Sequence, residues 1–294
     1  MQSGLIAGFL VIVLGLFSSA LRDRLRDWFH RAPARIFFLP AALTALFCAV
    51  LLHSEAWSTG FVLMAAAYTF APVAMVYVNR PGRPERPWLD FAAFLMLWLP
   101  VEFTAGKELL PAHAWGTVNI AARGAAVTLG LVLFPVFRDL KGVKYELPRR
   151  WTDFSYPLAG FAVAAAILIP LGLALSFMGP FQIPEPLRAG AFGLLFVKTL
   201  LGVALPEEIL FRGLIQNWLM QQFGFTNRTL LVAAVIFGAA HLNNAPGPLP
   251  NWRYMILASI AGFIYGKVFW KSSTVLSSAG LHALVNTVRH TFFH

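Results

Sequence analysis

The stretch LPEEILFRGLI, Leu205 to Ile215, sets two adjacent carboxylates and a guanidinium among apolar neighbours, in a chain that is greasy on either side of it. A charge held at bilayer depth costs about 2.5–3.5 kcal/mol on insertion scales, so ionisable clusters inside membrane helices mark functional sites. What this cluster does depends on whether the surrounding chain spans a membrane and on which other polar groups can reach it.

Composition answers the first question. Of 294 residues, 58% are hydrophobic and 12% charged, against about 25% charged in an ordinary soluble chain. Apolar runs long enough to cross a hydrocarbon core of about 30 Å as helices recur along the whole length, and no soluble domain separates them. In lipid, every backbone group must be satisfied inside its own helix. The expected fold is therefore all-α, a polytopic transmembrane helix bundle. Hydropathy places spans near 4–21, 36–52, 60–78, 88–103, 118–137, 156–178, 190–222, 229–242, 252–270 and 273–293. That is about ten, with a range of about 8–10 because the fourth is followed closely by Glu102, Lys107, Glu108 and His113. The first run has no basic residue ahead of it and arginines behind it, the pattern of a retained span rather than a cleaved signal peptide.

A net charge of +10 raises nucleic acid as a partner, but the basic residues lie in short loops beside apolar runs, where insertion puts them. The partner implied is the lipid bilayer, with no nucleic acid. Cys48 is the single cysteine, which excludes an intrachain disulfide and a cysteine-based metal site. Arg22, Arg24, Arg26, Arg31 and Arg35 follow the first span, Arg80, Arg83 and Arg86 the third, and Arg138, Lys141, Lys144, Arg149 and Arg150 the fifth. The positive-inside rule makes those loops cytoplasmic. Continued alternation puts Arg228, Lys267 and Lys271 inside, and Arg253 and the turn holding Gly247 outside. Arg289, near the outer end of the last span, dissents from that pattern.

The segment from 190 to 222 is too long for one straight span at about 1.5 Å per residue, and Pro206 interrupts it just before the acidic pair. A kink or break is expected there, with Pro206, Glu207 and Glu208 opening a second helical piece. Glu208 and Arg212, spaced i and i+4, then share a face and neutralise each other. Glu207 points about 100° away, without a partner in its own segment. Two further polar pieces interrupt apolar runs: FGAAHLNN, with His241 near the end of its helix, and SSAGLHALVNTVRH, with His282 and Asn286 one turn apart. Taken singly, an intramembrane His or Asn is an ordinary interhelical hydrogen-bond partner. A carboxylate, two imidazoles and an amide together are a sufficient kit for hydrolysis. The carboxylate takes a proton from water, a histidine orients that water or returns the proton, and His or Asn donors stabilise an oxyanion. The same residues leave a second chemistry open, because Glu207, His241 and His282 are also a possible three-ligand zinc set.

In chain order, EEILFR (Glu207, Glu208, Arg212), FGAAH (Phe237 to His241) and HALVN (His282 to Asn286) resemble the three signature motifs of the CPBP family. That family comprises the CAAX prenyl endopeptidases of the Ras-converting type and the bacterial bacteriocin-processing and immunity proteins. The resemblance covers roughly residues 188–290. It divides the chain into N-terminal helices of unassigned role, 1–180, and a C-terminal catalytic helical core, 181–294. It implies an intramembrane endopeptidase acting on a membrane-embedded or membrane-tethered protein or peptide, in which Glu207 activates water with help from His241. His282 and Asn286 would bind the oxyanion, and Glu208 and Arg212 would support the site. On this reading no cofactor is needed, and the zinc-dependent version is the alternative. A transporter or an immunity protein using the buried charges without catalysis is a different class. Of the inverted repeats or paired broken helices a transporter would carry, only the Pro206 break is visible. Loop charge and span position together expect the four groups to meet at similar depth in a cavity opening outward. That fits exported substrates of a bacterial inner (plasma) membrane.

Overall fold

The computed structural model describes residues 1–184, 189–244 and 249–293. Apart from one isolated bridge between Phe181 and Phe293, its regular structure is helical. Gly247 lies outside the described residues. The chain divides into two compact units, Met1–Lys141 and Gly142–His294.

The first unit holds α1 (Gln2–Gly15), α2 (Ser19–Arg31), α3 (Phe38–His53), α4 (Thr59–Val78), α5 (Pro87–Glu102) and α6 (Ala112–Val132), the last prolonged by a π-helical turn over Leu133–Phe137. The expected first span stops early, at Gly15, and α2 leaves it at 90°. Ser18 causes the restart, its Oγ accepting from the Leu21 amide, and the Arg-rich sequence that follows suits the polar side of an interface better than a bilayer core. Phe47, Phe94, Phe134 and Leu129 fill the interior of this unit.

The second unit holds α7 (Thr152–Ala174), α8 (Ala189–Thr199), α9 (Leu205–Glu208), α10 (Asn217–Phe223), α11 (Asn227–Ala239), α12 (Trp252–Lys271) and α13 (Val275–Phe292). Here α7, counted with the N-terminal helices on sequence grounds, packs against α12 and α13. A polar clamp explains the docking. Asp153, at the head of α7, accepts from the amides of Arg149 (2.9 Å), Arg150 (3.0 Å) and Ser273 (2.7 Å) and from Ser273 Oγ (2.6 Å). Its carbonyl accepts from Ser277 Oγ at 2.8 Å. Lys144 Nζ donates to the carbonyls of Phe269, Trp270 and Ser272 at the C-terminal end of α12, the end where the macrodipole favours a cation. The α12–α13 turn is thereby fixed, and with it the register of α13. α11 packs closely on α12: a Cβ at Gly238 would come within 2.6 Å of the Met255 carbonyl, and one at Gly262 within 3.3 Å of Ala234 O. Small residues at such crossings let backbones approach where lipid supplies no hydrophobic drive.

Helices long and apolar enough to cross a membrane number four among the described residues, Pro33–His53, Thr59–Val78, Ala112–Phe137 and Thr152–Ala174, or five if α1 and α2 count as one bent span. About ten were expected. The shortfall lies mainly with the helices that carry the polar motifs: α11 has 13 residues, α8 to α10 are short pieces joined by π turns, and α12 and α13 carry ionisable and polar side chains that lower their apolarity.

Candidate active site

Pro206 does not break its segment. The chain stays helical from Ala189 to Phe223, with π-helical turns over Leu200–Ala204 and Ile209–Gln216 on either side of α9. Proline has no amide to donate, and in an α-helix its ring collides with the carbonyl four residues back. A π turn accommodates both facts by widening the spiral, and the Leu205 amide accordingly reaches five residues back to Leu200 O. The acidic pair thus sits on a short α-helical piece between two bulges.

The two carboxylates of that pair occupy different surroundings. Glu208 and Arg212 are both 0% exposed, with Arg212 Nε donating to Glu208 Oε2 at 3.0 Å. Glu208 Oε1 lies 3.2 Å from His282 Nδ1. The guanidinium rests 4.5 Å from the Phe237 ring centroid and 6.0 Å from that of Tyr265. An ion pair this deep is tolerated only when geometry and neighbouring groups offset its desolvation, and here a counter-ion and two π faces contribute, while Arg212 Nη1 and Nη2 have no hydrogen-bond partner among the described residues. Glu207 by contrast keeps a third of its side chain exposed and lies with Oε2 4.0 Å from His282 Nε2. Among the described residues that oxygen has no hydrogen-bond partner. The separation is too long for a direct hydrogen bond and short enough for one water to touch both atoms.

The histidine tautomers follow from their partners. His241, in the turn after α11, has Nδ1 2.9 Å from Phe237 O. A carbonyl only accepts, so Nδ1 carries the hydrogen and Nε2 of the neutral ring presents a lone pair. His282 Nδ1 faces an ionised carboxylate, also acceptor-only, so its neutral ring likewise leaves Nε2 an acceptor. Nε2 becomes a donor only in the imidazolium. Aromatic rings fix both imidazoles: Tyr265 stacks on His282 at 4.9 Å and 24°, and Tyr254 and Phe237 meet His241 edge-on at 4.5 and 4.8 Å.

His241, His282 and Asn286 line one cavity between α7, α11, α12 and α13, whose remaining wall is mostly apolar. Glu207 flanks it, reaching it through His282. Among the described residues no group of three or more His, Cys, Asp or Glu side chains is gathered as a metal site.

Residues 189–288 match the family model described as Type II CAAX prenyl endopeptidase Rce1-like. Over this segment the chain is similar to the CAAX proteases of the CPBP family. The protein is accordingly an integral membrane protein, and its CAAX-protease-like segment runs from the start of α8 to late in α13. No curated protein and no solved structure matches the chain.

Within the CAAX-protease-like segment, every polar residue singled out from sequence comes to one place. Glu208, Arg212 and His282 form a bonded chain, Glu207 abuts it, and His241 and Asn286 share the cavity wall with His282. Sequence reading missed the aromatic framework of Phe237, Tyr254 and Tyr265. Phe237 lies in the FGAAH motif, yet nothing in its type separates a ring that carries Arg212 from one that faces lipid. Tyr265 had a weak signal, since it stands between Gly262 and Gly266, where α12 approaches its neighbours closely.

Proposed function

We propose that the protein is an intramembrane endopeptidase that hydrolyses a peptide bond of a membrane-associated substrate with a water activated by Glu207, without a metal. One observation carries the assignment of the base. Of the two adjacent carboxylates, Glu208 has both oxygens committed to Arg212 and His282, while Glu207 retains an unbonded oxygen 4.0 Å from His282 Nε2.

Chemistry follows from these positions. Water held between Glu207 and the lone pair of His241 loses a proton to Glu207 as its oxygen attacks the scissile carbonyl carbon. The C–O bond forms, and the carbonyl oxygen becomes an oxyanion facing Asn286 Nδ2 and, in the protonated ring, His282 Nε2. When the C–N bond breaks, the proton on Glu207 passes to the leaving amine, so the carboxylate is regenerated. Glu208 is a positioning residue in this scheme: it fixes the tautomer of His282 and stabilises the imidazolium that the oxyanion requires. The apolar cavity wall excludes bulk water and strengthens each of these interactions.

The family model names a prenyl CAAX substrate, and the apolar cavity suits a lipid-bearing or membrane-embedded peptide end. A site in a bacterial plasma membrane, opening to the non-cytoplasmic side, fits the charge of the flanking loops. Comparing the membrane peptidome of cells carrying the wild type with that of cells carrying Glu207→Gln tests this function. Peptide termini present only with the wild type are expected. Identical peptidomes would remove the proteolytic reading.

A further inference from the structure

Arg289 dissents from the loop-charge pattern, and it lines the same cavity as His241, His282 and Asn286. His282, Asn286 and Arg289 follow one another at i, i+4 and i+7, so they lie along a single face of α13. The guanidinium carbon is 4.4 Å from the Phe177 ring centroid and 5.7 Å from that of Tyr254. Among the described residues no carboxylate pairs with it. Rings on its faces hold the fork in place and leave in-plane N–H donors for an acceptor such as a ligand carboxylate.

We propose that Arg289 binds the C-terminal carboxylate of the substrate and so sets the distance from the chain end at which the bond is cut. This rests on the endopeptidase reading above. Lengths agree with it. Seven residues of helix separate His282 from Arg289, about 10 Å at 1.5 Å per residue. An endopeptidase that cuts inside a four-residue C-terminal motif leaves at most three residues beyond the scissile carbonyl, and three extended residues also span about 10 Å. A carbonyl at His282 and Asn286 therefore places the terminal carboxylate beside Arg289, where a planar fork receives both oxygens. The cavity lining also includes the apolar Val285, Val288, Phe293 and Met178, which matches aliphatic side chains in the intervening residues.

The test uses two fluorescent peptides with a farnesylated cysteine in a CAAX sequence, identical except that one ends in a carboxylate and the other in a carboxamide. KM is measured with the full-length wild type, Arg289→Lys and Arg289→Gln in lipid nanodiscs, and binding is measured with Glu207→Gln and with Glu207→Gln/Arg289→Gln. The wild type is expected to favour the acid by about tenfold or more in KM, and Glu207→Gln to show the same preference in affinity. Arg289→Lys, a point charge without the fork, should keep part of the preference, and Arg289→Gln should reduce it to within about threefold. The wild-type comparison needs no variant to fold. Equal use of acid and amide by the wild type, or a preference that survives in Arg289→Gln, overturns the role of Arg289 and leaves the endopeptidase reading standing. Arg289-dependent binding of the acid with no cleavage of either peptide does the reverse. Neither binding nor cleavage removes both.

Discussion

His282 lies between two carboxylates, with Nδ1 3.2 Å from Glu208 Oε1 and Nε2 4.0 Å from Glu207 Oε2. The shorter contact fixes the ring, and the longer one leaves room for a water. A single imidazole thereby links a fully buried ion pair to an exposed cavity.

Because Glu208 is buried with Arg212 at 0% exposure, Glu208→Gln leaves a guanidinium unpaired in a low-dielectric interior. Removing one partner of a buried pair costs about 3–5 kcal/mol, so this variant should lose thermal stability as well as activity. Thermal unfolding in detergent followed by tryptophan fluorescence checks it. Glu208→Gln melting with the wild type while Glu207→Gln melts early would reverse the two roles.

Asp153→Asn should act at a distance. The carboxylate takes bonds from three amides and the Ser273 hydroxyl, and asparagine cannot accept through its amide nitrogen. A loss of about 1–3 kcal/mol is expected, together with a fall in kcat, because the start of α13 is no longer fixed. Measuring Tm and kcat on the same preparation separates this from a local effect at Asp153. Unchanged kcat alongside a lowered Tm would show that α13 keeps its register without the clamp.

The structure also shows what a sequence can and cannot reveal about such a site. Glu207, Glu208, Arg212, His241, His282 and Asn286 were legible because each is a polar group in an apolar run, where the cost of burial makes chance occurrence unlikely by composition. The i, i+4 link of Glu208 to Arg212 needed only helical periodicity. Pro206 was legible as a perturbation but not in its form: whether proline kinks, ends or widens a helix depends on the turns around it, and two π segments resolved it here. About ten spans were expected and four or five described helices are long and apolar enough to cross a membrane, because hydropathy windows run across bends such as Gly15 and π turns such as Leu200–Ala204 and accept helices such as α13 whose face is polar. Phe237, Tyr254 and Tyr265 stayed hidden, since an aromatic ring that positions a histidine has the same composition as one that meets lipid.

Activity should survive exhaustive treatment with a chelator and should not rise on addition of zinc, as a carboxylate rather than a metal activates the water in this scheme. Metal content of the purified active protein, determined by elemental analysis before and after chelation, checks this. Stoichiometric zinc that leaves together with activity would support the metalloprotease alternative.

Membrane orientation is accessible to thiol labelling in a Cys48→Ala background. Leu249 is exposed in the turn before α12, and Phe225 is exposed in the turn before α11. Leu249→Cys should react with a membrane-impermeant reagent in intact cells, and Phe225→Cys only after the membrane is breached. The opposite pattern would turn the cavity toward the cytoplasm.

The central claim is that Glu207 activates the water, and the most direct measurement is cleavage of a farnesylated CAAX peptide by purified wild type and Glu207→Gln in the same lipid, with folding confirmed by matching Tm. Substitution by glutamine preserves the volume of the side chain and removes the base, so the rate should fall on the order of 10²–10⁴-fold while the protein stays as stable as the wild type. Cleavage by Glu207→Gln at a rate within about threefold of the wild type, far inside that interval, would contradict the account.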